Sequence, residues 1–150
     1  MRDSRIGAYG VLTLVLATGL KASAIAALLA SGEILIPVLA LIVAHAAARG
    51  LIVPVAAWLP TATDSGLGHL AGEPKLSTVR IALLISAALL LVLLPLTIAL
   101  ASAATACLAV AAIAALARHQ IGGYTGDVLG AVEQVAETAI LLTLAATAGA

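Results

Sequence analysis

Long runs of apolar residues, interrupted by short polar clusters, dominate the chain. Tyr9 to Ala30, Ile34 to Leu59 and Val128 to Ala148 each supply the roughly 20 largely apolar residues that a transmembrane helix needs. From Ile81 to Ala117 there are 37 residues without a charge. One straight helix of that length would measure about 55 Å, nearly twice the thickness of the hydrocarbon layer. The stretch therefore predicts two spans, both short, with Pro95 at the turn and Thr97 and Ser102 nearby. The expected fold is all-α: a polytopic membrane helix bundle of about five transmembrane helices. It forms a single membrane domain over residues 1–150, with no internal repeat, low-complexity linker or domain boundary.

Strict alternation of five spans places the amino-terminal segment, the loop from Pro60 to Arg80 and the loop from Arg118 to Asp127 on one side. That side collects Arg2, Arg5, Lys75, Arg80 and Arg118, so the positive-inside rule makes it cytoplasmic. Tyr9, Trp58 and Tyr124, the three aromatic residues, fall at the same ends of their helices, where interfacial anchors are expected. The expected location is therefore the cell inner membrane, multi-pass, with an active face toward the cytoplasm.

Composition sharpens the picture by exclusion. The chain is 63% hydrophobic and 9% charged, with no net charge. Disorder requires low hydrophobicity, nucleic-acid binding a basic excess, and a disulfide framework more than the single Cys107. The first apolar stretch is too long for a signal peptide and is followed by further spans. Cys107 is read as a packing residue.

Ionisable groups inside spans are costly, so each carries either a structural or a functional reading. Lys21 lies mid-span and is read first as a snorkelling or ion-paired lysine. His45 and Arg49, four apart, share a helix face, and Arg49 could reach a cavity at the cytoplasmic side and grip a phosphate. Glu133 and Glu137 are also four apart. They either neutralise Lys21 or Arg49, or complete a metal or proton-transfer site.

The densest constellation is Ile121-Gly122-Gly123-Tyr124-Thr125-Gly126-Asp127-Val128-Leu129-Gly130-Ala131. Glycines 122, 123 and 126 permit a backbone that gathers N–H groups around an anion, and the following helix turns its positive end toward the same place. A pyrophosphate suits such a cradle. Asp127, at the helix start, is either a cap or a ligand for Mg²⁺ shared with substrate phosphates. The four-residue spacing of Gly122, Gly126 and Gly130 equally suits a close helix-packing face. Arg2, Asp3 and Arg5 stand at the mouth of the first helix, where a basic flank with an acidic helix start is the simpler reading.

Two of these segments carry a resemblance. Arg-Asp-Ser-Arg-Ile-Gly-Ala-Tyr-Gly at 2–10, and Ile-Gly-Gly-Tyr-Thr-Gly-Asp-Val-Leu-Gly-Ala at 121–131 with Glu133 and Glu137 following, resemble the carboxyl-terminal half of the cobalamin synthase (adenosylcobinamide-GDP ribazoletransferase) family. Weaker matches lie at Ala48-Arg49-Gly50, Leu59-Pro60 and Gly66-Leu67-Gly68. The family's Ala-Arg pair after the proline is replaced by Thr61-Ala62-Thr63-Asp64. The family's amino-terminal half, with the aspartate-rich glycine motif expected to hold Mg²⁺, has no counterpart. Met1 lines up with a methionine internal to family members, so a truncation or a late translational start is expected, with insertion in the membrane but no catalysis by the 150 residues alone.

The resemblance implies an Mg²⁺-dependent transferase that joins adenosylcobinamide-GDP to alpha-ribazole and releases GMP. The implied catalytic residues are Asp127, Arg49, Glu133 and Glu137. Arg5, Ser4, Gly122, Gly123, Thr125 and Gly126 would bind substrate, and Asp127 and Asp3 the metal. The partners are the two substrates and the lipid bilayer, with no nucleic acid, together with a second copy of the chain or the missing amino-terminal half. Two rivals stand beside it: a small transporter with Lys21, Arg49 and the glutamates as an ion or proton relay, and a non-catalytic assembly subunit joined through the glycine face. A relay predicts ionisable groups near the midplane, whereas the sequence suggests crowding toward one interface.

Overall fold

A computed structural model describes residues 7–30, 32–62 and 72–148. The amino-terminal candidates Arg2, Asp3, Ser4 and Arg5, and the positions Thr63, Asp64 and 66–68 in the long loop, lie outside the described residues. Five helices follow in order: α1 (Ala8–Leu29), α2 (Leu35–Trp58), α3 (Leu76–Leu93), α4 (Leu96–Ile121) and α5 (Gly126–Ala148). All five are long and apolar enough to cross a membrane.

The anticipated break falls at Pro95, which caps α4. Its ring lacks an N–H and biases the preceding residue toward extended backbone, and Leu94 is extended with ψ 148°. Of the flanking helices, α3 is short as expected, with 18 residues, whereas α4 is not, with 26. The charge-free core underestimates them because α3 starts beside Lys75 and includes Arg80, while α4 runs on through Arg118 and His119. Charged residues in the end turns of a span reach the interface without breaking the helix. Arg118 and His119 also lie at the negative end of the α4 dipole. α2 continues through Pro54, whose ring leaves the carbonyl of Gly50 without its helical donor.

Helix α5 is the hub: it packs against α4, α2 and α1, and α2 in turn packs against α3. Its inward stripe of Val132, Ala136, Ile140, Leu141 and Leu144 meets Val43, Ala44, Ala47 and Ala48 of α2 and Ala99, Ala106 and Val110 of α4. Alanine dominates these contacts because lipid is as apolar as the helices, so association depends on close van der Waals approach, which small side chains allow. Gly50 shows the limit of that approach. A Cβ there would overlap Ser86 Oγ of α3 and press on the Ala82 carbonyl. Ser86 itself is buried and donates to Ala82 O at 3.0 Å. Large side chains such as Leu84, Val92 and Leu108 point outward, as lipid-facing positions should.

Candidate active site

Two loops and the helix ends they join lie at one end of the bundle, because alternation brings the carboxyl end of α2, the start of α3, the end of α4 and the start of α5 to the same side. Helix α4 stops at Gly122, whose φ of 77° is left-handed and whose N–H donates to Arg118 O at 3.2 Å. This is the usual glycine stop, open to residues without a Cβ penalty. Gly123 is required for a different reason: a Cβ there would collide with the backbone carbonyl of Pro60. The two loops are clasped at this point. Tyr124 N–H donates to Pro60 O and Ala62 N–H donates to Tyr124 O, both at 2.9 Å, forming a parallel bridge between Thr61 and Tyr124.

Three expectations change here. Tyr124 is 1% exposed, so it is a buried post of the clasp rather than an interfacial anchor, whereas Trp58 at the end of α2 is 70% exposed and fits that role. The glycine segment is also less of an anion cradle than its composition suggests. The amides of Gly122 and Tyr124 already serve backbone carbonyls, and Gly126 has no left-handed φ. Nor do Gly126 and Gly130 form a packing face among the described residues, where a Cβ at either would meet nothing within 4 Å. Four-residue spacing of glycines is common to tight crossings and to bare helix faces, and only the neighbours distinguish them.

Thr125 caps α5. Its Oγ1 accepts from Val128 N–H at a long 3.4 Å, the geometry of an N-cap residue bonding the third helical amide. Asp127 is thereby relieved of the capping role. It lies in the first turn of α5, exposed, with no hydrogen bond or ion pair among the described residues. A carboxylate there is favoured by the helix dipole and open to a cation. Magnesium takes one or two protein carboxylates and fills its remaining positions with water and phosphate oxygens, so Asp127 fits as one such ligand. Among the described residues no group of three or more His, Cys, Asp or Glu side chains gathers around it.

Deeper in the bundle the remaining ionisable candidates form one connected cluster. Lys21 Nζ of α1 donates to Glu137 Oε2 and to Gln134 Oε1 of α5, each at 2.7 Å. Arg49 Nε of α2 donates to Glu133 Oε1 at 3.0 Å. His45 sits between the pairs, Nε2 3.9 Å from Glu133 Oε1 and Nδ1 3.8 Å from Glu137 Oε2. The i,i+4 spacing of His45 and Arg49 matches that of Glu133 and Glu137, so two short ladders face each other across the α2–α5 contact. The neutralising reading of the glutamates is thus realised, for both cations at once. Gln134 was not singled out in the sequence; its position one residue after Glu133 was the available signal.

Lys21, His45 and Glu137 lie near the middles of their helices. The expectation that the ionisable groups crowd toward one interface therefore holds for Asp127, Arg118 and Lys75 but not for these three.

The family model described as cobalamin-5-phosphate synthase matches residues 1–145. The chain belongs to the cobalamin-5-phosphate synthase family. Among its relatives, the adenosylcobinamide-GDP ribazoletransferase of Bradyrhizobium diazoefficiens is 43% identical over 146 residues, covering 97% of this chain and 55% of the relative. That of Mesorhizobium japonicum is 42% identical, covering 95% and 53%, and that of Brucella canis 38%, covering 96% and 57%. The chain spans about half the length of the curated relatives it matches. No solved structure matches.

Proposed function

We propose that this chain carries part of the active site of an adenosylcobinamide-GDP ribazoletransferase, working in the cell inner membrane with the Asp127 end toward the cytoplasm. The observation that carries the reading is Asp127 itself. Within a loop clasped in register and at a helix start capped by another residue, it is an exposed carboxylate with no partner among the described residues.

In the proposed reaction the 5′-hydroxyl oxygen of alpha-ribazole bonds to the corrinoid-bearing phosphorus of adenosylcobinamide-GDP. The phosphoanhydride bond to GMP breaks, GMP leaves with the bridging oxygen, and the hydroxyl proton passes to a base. Mg²⁺ would be held by Asp127, with Asp3 as a second ligand, and would offset the charge of the pyrophosphate. The amides at the start of α5 and the Arg5 guanidinium orient the phosphates, and Ser4 donates to them. Of the two glutamates, Glu133 is the better base: Glu137 is buried and bound to Lys21, whereas Glu133 is partly exposed beside Arg49. Glu133 lies six residues beyond Asp127, about 9 Å along the helix, a separation that a diphosphate and its attacking hydroxyl can bridge.

Substrates need not be captured from lipid, since both are polar and Asp127 lies at one end of the bundle, at the start of α5. The second copy or amino-terminal half expected as a partner would complete the walls of the site, because positioning supplies most of the rate in phosphoryl-type transfer. The mid-span position of Lys21, His45 and Glu137 favours a relay as the second reading. Uptake by proteoliposomes without GMP release would support the relay; Mg²⁺-dependent GMP release that requires alpha-ribazole supports the transferase.

A further inference from the structure

The ionic cluster is not sealed inside the described bundle. The Arg49 side chain is 65% exposed and that of His45 51%, although both lie within a membrane-spanning helix. Arg49 stands nine residues before Trp58, roughly 14 Å along the helix and so well inside a hydrocarbon layer of about 30 Å. Its described hydrogen bond leaves from Nε, so the Nη donors have no partner among the described residues. Gln134 is likewise exposed, with only its side-chain oxygen engaged among the described residues. Hydrocarbon against such a face would strand several donors, and ionisable groups in spans accordingly face protein or a water-filled cavity.

A second observation gives the direction in which such water would reach the cluster. At about 100° per residue, Gly126, Gly130, Glu133, Gln134 and Glu137 fall within one stripe of α5, with Asp127 at its edge. Gly126 and Gly130 have open space where a side chain would stand. The stripe is therefore a strip of bare backbone running from the free carboxylate at the helix start to the half-exposed charges one to three turns deeper. Lys21 and Glu137, more covered, close its far end.

We infer that α5 floors a water-filled groove, open at the Asp127 end and walled by Arg49 and His45, that reaches to about the middle of the span. The cluster is electrically balanced, two cations against two carboxylates, so the groove holds water without requiring a bound ion. Another helix laid over the same face would have to match both Nη groups, which have no partner among the described residues, and the bare glycine backbone, which water satisfies without matching.

The test uses the single native cysteine. In a Cys107→Ala background, single cysteines are placed at Gly130 and Gln134 in the groove, at Leu84 and Leu108 on the outer apolar surface, and at Gln120 to mark the side. Membrane vesicles of both orientations are treated with a charged methanethiosulfonate, which reacts with thiolates in water. Gly130→Cys and Gln134→Cys should react at least tenfold faster than Leu84→Cys and Leu108→Cys, and from the same side as Gln120→Cys. Two independent groove positions guard against one variant failing to insert. Groove cysteines that react no faster than the outer pair, or only from the opposite side, would overturn the inference. The readout needs no substrate, so it stands or falls separately from ribazole transfer.

Discussion

Lys21 Nζ lies 2.7 Å from Glu137 Oε2, joining α1 to α5 across 116 positions of sequence by an ion pair whose side chains are 18% and 11% exposed. A covered pair of this kind contributes little compared with apolar residues of the same volume, yet removing one partner leaves the other charge uncompensated, at a cost of about 3–5 kcal/mol. It registers α1 on a bundle that otherwise holds itself together through α2, α4 and α5.

Lys21→Met alone, or Glu137→Met alone, should therefore lower the thermal unfolding midpoint in detergent substantially. The double variant should recover most of the loss. A double variant no more stable than the worse single one would show that the pair is not the coupling between these helices.

Glycine substitutions separate packing from open space. Gly50→Ala and Gly123→Ala should both destabilise, the first by forcing α2 from α3 at Ser86 and the second by opening the clasp at Pro60. Gly130→Ala should be neutral or stabilising by up to about 1 kcal/mol, since only helix propensity changes. Thermal midpoints of the three variants, ranked in the reverse order, would contradict the described contacts.

The sequence shows why these distinctions needed the structure. Apolar runs and Pro95 announce five helices because chain length against bilayer thickness leaves few alternatives. The charged ends of α3 and α4 were legible only as loop residues, since hydropathy cannot show a helix continuing through Arg80 or Arg118. At the candidate site, Asp127 and the paired spacings of His45 with Arg49 and Glu133 with Glu137 could be read directly. Which glutamate meets which cation could not, because it depends on the rotation of α1 and α2 about α5. The Thr61–Tyr124 bridge left no pattern at all: it joins two backbones and asks of the sequence only a glycine at 123.

Topology is open to the same labelling chemistry as the groove. With five spans, a cysteine at Gln120 should react from the cytoplasmic face and one at Glu33, in the turn between α1 and α2, from the opposite face. Reaction of both from one face would break the alternation.

The cap assignment predicts a division of labour in the first turn of α5. Thr125→Ala should cost stability, typically about 1 kcal/mol, whereas Asp127→Asn should leave the unfolding midpoint nearly unchanged. Equal destabilisation by the two variants would return Asp127 to the role of a structural cap.

The central claim is that Asp127 serves the transfer of ribazole. The most direct measurement places this sequence within a chain of its relatives' full length, in membranes supplied with adenosylcobinamide-GDP, alpha-ribazole and Mg²⁺, and follows GMP and corrinoid product together. The expected result is equal amounts of GMP and adenosylcobalamin, dependent on alpha-ribazole, and a loss of two or more orders of magnitude in Asp127→Asn with insertion unchanged. Transfer at an undiminished rate by Asp127→Asn, or GMP release that ignores alpha-ribazole, would contradict it.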